Sequence, residues 1–326
     1  MKPAISVLVP VYNVEPFLER CLDSILAGGV DDIEVVCVDD CSPDGSAAIL
    51  ARRAASDPRI RVERHGRNRG LMQARRTGYM AARGEYIFFC DSDDTIPAGA
   101  LRTLLAAARV SGADITAGDI EVMRADGPGH RLVRHGRIGP GYLDYFRAIL
   151  TGSSPQLMGS LYKASLFADG GFESLEHQNF SEDRILLTDL LLARHPSIHT
   201  VADVTYYYHV NGASITRVRR TPAMVSSQFA ALYRNYRRVD AAEPSLRGVN
   251  RYFMTRYLSL YLEQGTPRQS ILDTDPESVR LLSAGELRRN VGLRLASHTL
   301  ACMYVPLYAR CATAARNLIR RIQRKV

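Results

Sequence analysis

Two clusters of carboxylates in this chain stand where they could do chemistry. The stretch YIFFCDSDD (residues 86–94) runs from apolar and aromatic side chains into Asp91, Asp93 and Asp94, and VCVDD (residues 36–40) ends in Asp39 and Asp40. Like charges this close repel one another, and burying them without compensation is costly, so something positive is expected beside them. A hard divalent cation, Mg2+ or Mn2+, meets that need. Such an ion prefers oxygen ligands, is held by one or two carboxylates, and leaves the rest of its sphere to substrate phosphates. Asp91 and Asp93 are separated by one residue, so in an extended segment their side chains leave on the same side and suit one ligand set. A strand followed by two aspartates is also a common Asx turn ahead of a helix. Two such clusters at equivalent strand ends favour a site.

Those strand ends need a sheet to position them. Residues 4–11 and 33–39 read as strands, as do 59–65, 85–90 and 113–119. Between them, 15–27 place Phe17, Leu18, Leu22, Ile25 and Leu26 at helical spacing, and 47–55, 70–84 and 100–112 are further helices. Strands alternating with helices predict a mainly parallel α/β sheet covered on both faces, with ligands beyond the C-terminal ends of its strands. Past residue 120 the regularity fails. Residues 125–141 are glycine-rich and read as a mobile loop or a hairpin, 159–167 as a short strand, 181–193 as a helix and 201–210 as a strand. From about 222 the pattern is helical to the end, with a boundary near 217–221.

Four segments in order carry a resemblance. P-V-Y-N (10–13), V-D-D-C-S-P-D-G-S (38–46), N-R-G-L-M-Q-A-R-R-T-G (68–78) and G-E-Y-I-F-F-C-D-S-D-D (84–94) resemble the family 2 glycosyltransferases of GT-A fold. The likeness covers residues 4 to about 118, and 156–217 more loosely. It implies a Rossmann-like nucleotide-diphospho-sugar transferase domain over 1–217, with 1–120 as its nucleotide-sugar half and 121–217 as its acceptor half. Residues 218–326 would be a helical C-terminal extension.

The same resemblance implies roles. Asp40, with Asp39 beside it, would read the nucleotide base, with Pro10 and Tyr12 walling that pocket and Arg75 near the nucleotide; Arg76 reads as a solvated helix face. In the D-x-D triplet, Asp91 and Ser92 would lie along the nucleotide-sugar, Asp91 reaching ribose or metal, and Asp93 would ligate the metal bridging the diphosphate. His209, closing Y-Y-Y-H (206–209), matches a further metal ligand of some relatives and reads equally as a structural histidine at a strand end. Arg217, in N-G-A-S-I-T-R (211–217), would contact phosphate. Ser181, Glu182 and Asp183 match the family's acidic pair at a helix start, and also an ordinary N-cap with acids in the first turn. Asp183 is taken as the base and Glu182 as the alternative, because spacing does not separate neighbouring carboxylates.

The implied reaction is a metal-dependent, inverting, single-addition transfer from a nucleotide-sugar, by default a UDP-sugar, to a hydroxyl of a glycan or lipid-linked acceptor in bacterial surface-polysaccharide biosynthesis. Processive synthases of the family carry Q-x-x-R-W and membrane helices; this chain has no tryptophan. Cys41 stands where glycine or asparagine is usual and reads as a tolerated small residue.

Composition narrows the partners. The formal charge of +8 over 326 residues suggests nucleic acid until it is located. After Glu286 there is no acid, whereas Arg288, Arg289, Arg294, Arg310, Arg316, Arg320, Arg321, Arg324 and Lys325 crowd the tail. The body is near neutral, so no nucleic-acid partner is expected. Residues 300–322 repeat apolar side chains at helical spacing around Pro306, a pattern for a peripheral contact with an anionic membrane or for packing on the domain. The start, MKPAISVLVPVYN, reads as a first strand and not a leader. Six scattered cysteines without metal spacing read as reduced, mostly buried thiols of a cytoplasmic protein at the inner face of the cell membrane. A catalytically silent scaffold of the same fold is the competing expectation, disfavoured by intact Asp91, Asp93 and Asp183.

Overall fold

The computed structural model describes residues 2–124, 127–133, 138–139, 141–151, 157–168, 182–211 and 221–263. Arg217, Ser181, Cys302, Cys311 and the basic tail lie outside the described residues. The chain divides into two compact units, Met1–Val218 and Arg219–Val326.

In the first unit β1 (Ile5–Val11), β2 (Ile33–Asp39), β3 (Ile60–Arg64) and β4 (Tyr86–Phe89) alternate with α1 (Glu15–Leu26), α2 (Ser46–Ser56) and α3 (Leu71–Ala81). Then follow α4 (Ala100–Ser111), β5 (Ile115–Arg124), β6 (Gly127–Val133), α5 (Tyr142–Thr151), β7 (Ser160–Lys163), α6 (Glu182–Arg194) and β8 (Ile198–His209). Among the described residues these strands form one sheet in the order β3-β2-β1-β4-β7-β5-β6. β5 pairs β8 in parallel along one edge and, along the other, β7 and then β6 antiparallel. The four parallel strands are wound outward from β1, so the strand order reverses between β1 and β4. A ligand crevice opens at such a reversal.

Every residue of β1, β2 and β4 is buried, as expected of parallel strands covered on both faces. Their sequences are therefore mostly apolar, interrupted by Ser6 in β1 and by Glu34 and Asp39 in β2. β1 pairs β4 only as far as Leu8↔Phe89, and the Cys90 N–H reaches the Leu8 carbonyl just beyond. Pro10, two residues on, faces that edge where β4 has ended, so its missing N–H costs no ladder bond there.

Element boundaries differ from the sequence expectation in places. α3 ends at Ala81 instead of running to residue 84. Ala82 is extended, and the Gly84 N–H, at 2.8 Å from Ser6 Oγ, draws the chain onto β1 so closely that a Cβ at 84 would lie 2.5 Å from the Ser6 nitrogen. β5 runs on to Arg124 because β6 pairs with it, so part of the glycine-rich stretch is a hairpin strand. Among the described residues Cys21, Cys37 and Cys90 are buried free thiols and Cys41 is exposed, in keeping with a mostly buried set.

In the second unit α7 (Pro222–Ala242) and α8 (Arg247–Glu263) are joined through a 3-10 turn at Pro244–Leu246. Asn250 Nδ2 donates to the Tyr236 carbonyl at 2.9 Å, and Phe229, Tyr233 and Tyr236 stack along α7. Among the described residues no helix is long and apolar enough to cross a membrane.

Opposite the crevice end of the sheet, Glu34 is buried and accepts bonds from Ser6 Oγ at 2.6 Å, Arg61 Nη1 at 2.8 Å and the Arg83 N–H at 2.5 Å. Burial alone would raise its carboxyl; these donors outweigh burial and hold it below the ordinary 4.5. A depressed carboxyl contributes stability that is present above its unfolded value and is lost as pH falls through its folded one. Glu34→Gln should cost about 1–3 kcal/mol at neutral pH in urea denaturation. The deficit relative to wild type should shrink once pH drops below 4.5.

Candidate active site

The end of β4 answers the question its sequence raises. Asp91 accepts from a guanidinium on α3: Arg75 Nη2 lies 2.8 Å from Asp91 Oδ1. The same guanidinium gives Nη1 to Glu182 Oε1 at 2.9 Å, at the first turn of α6. Arg75 is 1% exposed, on the face of α3 that also buries Met72, Ala74 and Gly78, while Arg76 faces solvent. Helical periodicity thus separates two adjacent arginines into one buried ion and one solvated one. Burial alone would lower the Arg75 pKa; the carboxylates of Asp91 and Glu182 outweigh it and raise it. Arg75 Nε–H has no acceptor among the described residues, and Met158 Sδ lies 3.9 Å from Nη2.

Asp94 is satisfied differently. Its Oδ2 accepts the Tyr206 hydroxyl at 2.7 Å and its Oδ1 the His209 backbone N–H at 2.7 Å. Burial first, then Asp93 and Asp91, push its carboxyl well up. Asp93 is half-buried, with Oδ2 accepting Asn211 Nδ2 at 2.9 Å and its backbone carbonyl accepting Arg20 Nη2 at 3.0 Å. Burial and the charge of Asp91 raise the Asp93 carboxyl. Ser92 is buried between them. His209 Nε2 lies 2.8 Å from Thr95 Oγ1, and burial, helped by Arg20, lowers the His209 pKa.

These residues fit a divalent cation in charge and chemistry. Asp91 and Asp93 are oxygen donors, each with one oxygen not committed to a neighbouring side chain, and the raised Asp93 carboxyl reports negative charge that a cation would neutralise. Among the described residues no three His, Cys, Asp or Glu side chains stand together as a ready-made cage. Asp94 is spoken for by Tyr206 and His209, and His209 is held at Nε2 by Thr95.

At the end of β2 the two aspartates divide their work. Asp40, expected on the base, has both oxygens occupied: Oδ1 lies 2.6 Å from His65 Nδ1 and 2.8 Å from the Arg69 N–H, and Oδ2 accepts the Gly70 N–H at 2.8 Å. It fastens the β3–α3 loop, whose Gly70 has φ 91°, open to glycine alone in practice. Asp39 Oδ1 accepts the Ser42 N–H at 2.9 Å, while among the described residues Oδ2 faces Arg64 Nε at 3.5 Å. Pro10 is buried inside β1, and Tyr12 stands 45% exposed beyond its end.

The two loops flanking this pocket cap each other's helices. Asp44 Oδ2 accepts the Glu15 N–H at the start of α1, and Glu15 Oε2 accepts the Gly45 N–H at the start of α2, both at 2.8 Å. The sequence reading missed this exchange, although the acid in SPDGS was visible as helix-start chemistry. Tyr206, His65 and Asn211 were also missed. Nothing in Y-Y-Y-H tells which tyrosine turns inward.

A doubly wound sheet with carboxylates at the strand-order reversal and an acidic pair at a following helix start is the architecture of the GT-A fold. The family model "Glycosyl transferase family 2" matches residues 6–170, and the chain belongs to that family. It is 31% identical over 247 residues to the succinoglycan biosynthesis protein ExoO of Rhizobium meliloti, covering 71% of this chain and 69% of that one. It is 46% identical over 115 residues to the uncharacterized glycosyltransferase EpsJ of Bacillus subtilis; the match spans 35% of this chain and about a third, 33%, of EpsJ. In fold it is similar to S. aureus TarS 1–349 in complex with UDP, with a TM-score of 0.66 at 20% identity over 96% of this chain and 91% of that one.

Two outcomes follow from this geometry. Burial, then Asp183, push the Glu182 carboxyl up to about 7 against the pull of Arg75. A raised carboxyl contributes stability that is complete below its unfolded value and is lost as pH rises through its folded one. Arg75→Met removes the compensating cation and should cost about 3–5 kcal/mol. Because Glu182 can take a proton, chemical denaturation should show a larger deficit at alkaline than at acidic pH. Separately, Cys41 has φ 62°, a left-handed conformation that explains why glycine or asparagine suits the position. Cys41→Gly should raise stability by about 1 kcal/mol in the same assay.

Proposed function

We propose that this chain moves a sugar from a nucleotide-sugar, a UDP-sugar by default, to a hydroxyl of a glycan or lipid-linked acceptor in cell-surface polysaccharide biosynthesis, with inversion in one displacement. One observation carries the reading. Buried Arg75 ties Asp91, at the end of β4, to Glu182, in the acidic pair that opens α6, so donor-side and acceptor-side carboxylates share one cation. The name of ExoO, a succinoglycan biosynthesis protein, supports a polysaccharide product, and the TarS complex with UDP supports the donor class.

Asp39 Oδ2, the less committed oxygen of the β2 pair, accepts an N–H of the base, and the exposed Tyr12 ring gives it a wall. Asp91 and Asp93 would hold Mg2+ or Mn2+, with Nδ1 the ring nitrogen of His209 left to the ion. When bound, that cation neutralises diphosphate charge and improves the leaving group. Arg75 orients Asp91, and Arg217 adds a contact to phosphate. Asp183 is the base: it is half-buried, its Oδ1 accepts the Arg184 N–H at 2.8 Å, and it takes the proton of the acceptor hydroxyl. Glu182 is committed to Arg75 and acts as a positioning residue. The basic tail would keep the chain at the anionic inner face of the membrane, near a lipid-linked acceptor.

The test is a thermal titration with UDP, GDP, CDP and dTDP, each with and without Mn2+. A metal-dependent rise in Tm with one nucleotide, lost in Asp93→Ala, is expected; no rise with any of them overturns the donor site. With the sugar nucleotide so chosen, Asp183→Asn should lower kcat by roughly 10²–10⁴-fold while leaving nucleotide Kd unchanged.

A further inference from the structure

We propose that Tyr206 is a positioning residue for the Asp91–Asp93 loop, acting from β8 through the backbone of Asp91 and the carboxylate of Asp94. The inference rests on the reading of Asp91 and Asp93 given above. Tyr206 is fully buried, and its hydroxyl does two things at once: it accepts the Asp91 N–H at 3.1 Å and donates to Asp94 Oδ2 at 2.7 Å. The Asp94 N–H in turn donates to the Asp91 carbonyl at 3.1 Å. Asp91 is therefore fixed at both its N–H and its C=O, and the turn that presents Ser92 and Asp93 is closed between those two anchors.

Neighbouring bonds extend the clasp along β8. Thr95 and Tyr207 exchange backbone bonds of 3.2 and 2.8 Å, the His209 N–H reaches Asp94 Oδ1 at 2.7 Å, and Asn211 Nδ2 reaches Asp93 Oδ2 at 2.9 Å. A phenol suits the central place because one oxygen can accept from an amide while donating to a carboxylate. Phenylalanine fills the same volume and does neither. Without the hydroxyl, the Asp91 N–H loses its acceptor and Asp94 Oδ2 its donor, and the loop loses the constraint that aims two carboxylates at one ion. Partners of this kind behind a metal-binding carboxylate are typically worth 10–100-fold in metal affinity.

The experiment compares full-length wild type, Tyr206→Phe and Asp93→Ala by calorimetric titration of UDP at a series of Mn2+ concentrations, with ligand-free Tm measured alongside. The Mn2+ concentration giving half-maximal UDP binding should rise about tenfold or more in Tyr206→Phe, with binding regained at high Mn2+. A lowered Tm with an unchanged Mn2+ requirement would mean that the hydroxyl serves the fold alone, and it overturns the proposal while leaving the donor site intact. Wild type that binds UDP no better with Mn2+ than without overturns the metal reading, and this proposal with it. Should Tyr206→Phe not yield folded protein, Asp94→Asn, which keeps size and removes the carboxylate facing Tyr206, is judged by the same Mn2+ requirement.

Discussion

A guanidinium cut off from water and shared by carboxylates from two remote stretches of chain governs the layout of this molecule. Arg75 is tolerated at 1% exposure only because Asp91 and Glu182 both reach it. A charge in that position loses several kcal/mol of hydration and regains it only when its partners are placed to within hydrogen-bond distance. The fold is arranged to do this. α3 lies on the sheet with Arg75 turned inward, β4 stops where Asp91 can turn toward it, and α6 starts with its acids at the same point. Each element has an apolar face to bury, and the ion pairs tie all three together at one point.

The antiparallel half of the sheet supplies the other constraint. β7 and β5 carry the sheet away from β4, and β8 returns alongside β5 so that its far end meets the turn after β4. One short loop is thereby held from opposite sides, by α3 through the side chain of Asp91 and by β8 through backbone and Asp94. The carboxylates that repel one another are kept close by different means: a cation for Asp91, an amide for Asp93, and a phenol and a backbone N–H for Asp94.

The parallel half of the fold was legible because strands buried on both faces leave continuous apolar runs, as in Val35 to Val38, that few other structures need. The acids at the strand ends were legible as exceptions to those runs. Asp40 and Asp39 were legible as a pair but not by role, because their division of labour depends on the Arg69 and Gly70 amides, which arrive from a different loop. The end of α3 was read three residues late, since the close approach of Gly84 to Ser6 is a tertiary fact without a local signal. β6 was half legible: glycine richness left a mobile loop and a hairpin both open, and pairing with β5 decides for the hairpin.

The exchange of caps between Glu15 and Asp44 makes the β1–α1 and β2–α2 loops a single mechanical part. Each loop caps the start of the other's helix, so neither can change length by one residue without unfastening both helix starts and shifting Tyr12 relative to Asp39. Variation in loop length therefore has room on the β5–β6 side of the sheet, where a hairpin can grow or shrink without disturbing that pair of caps.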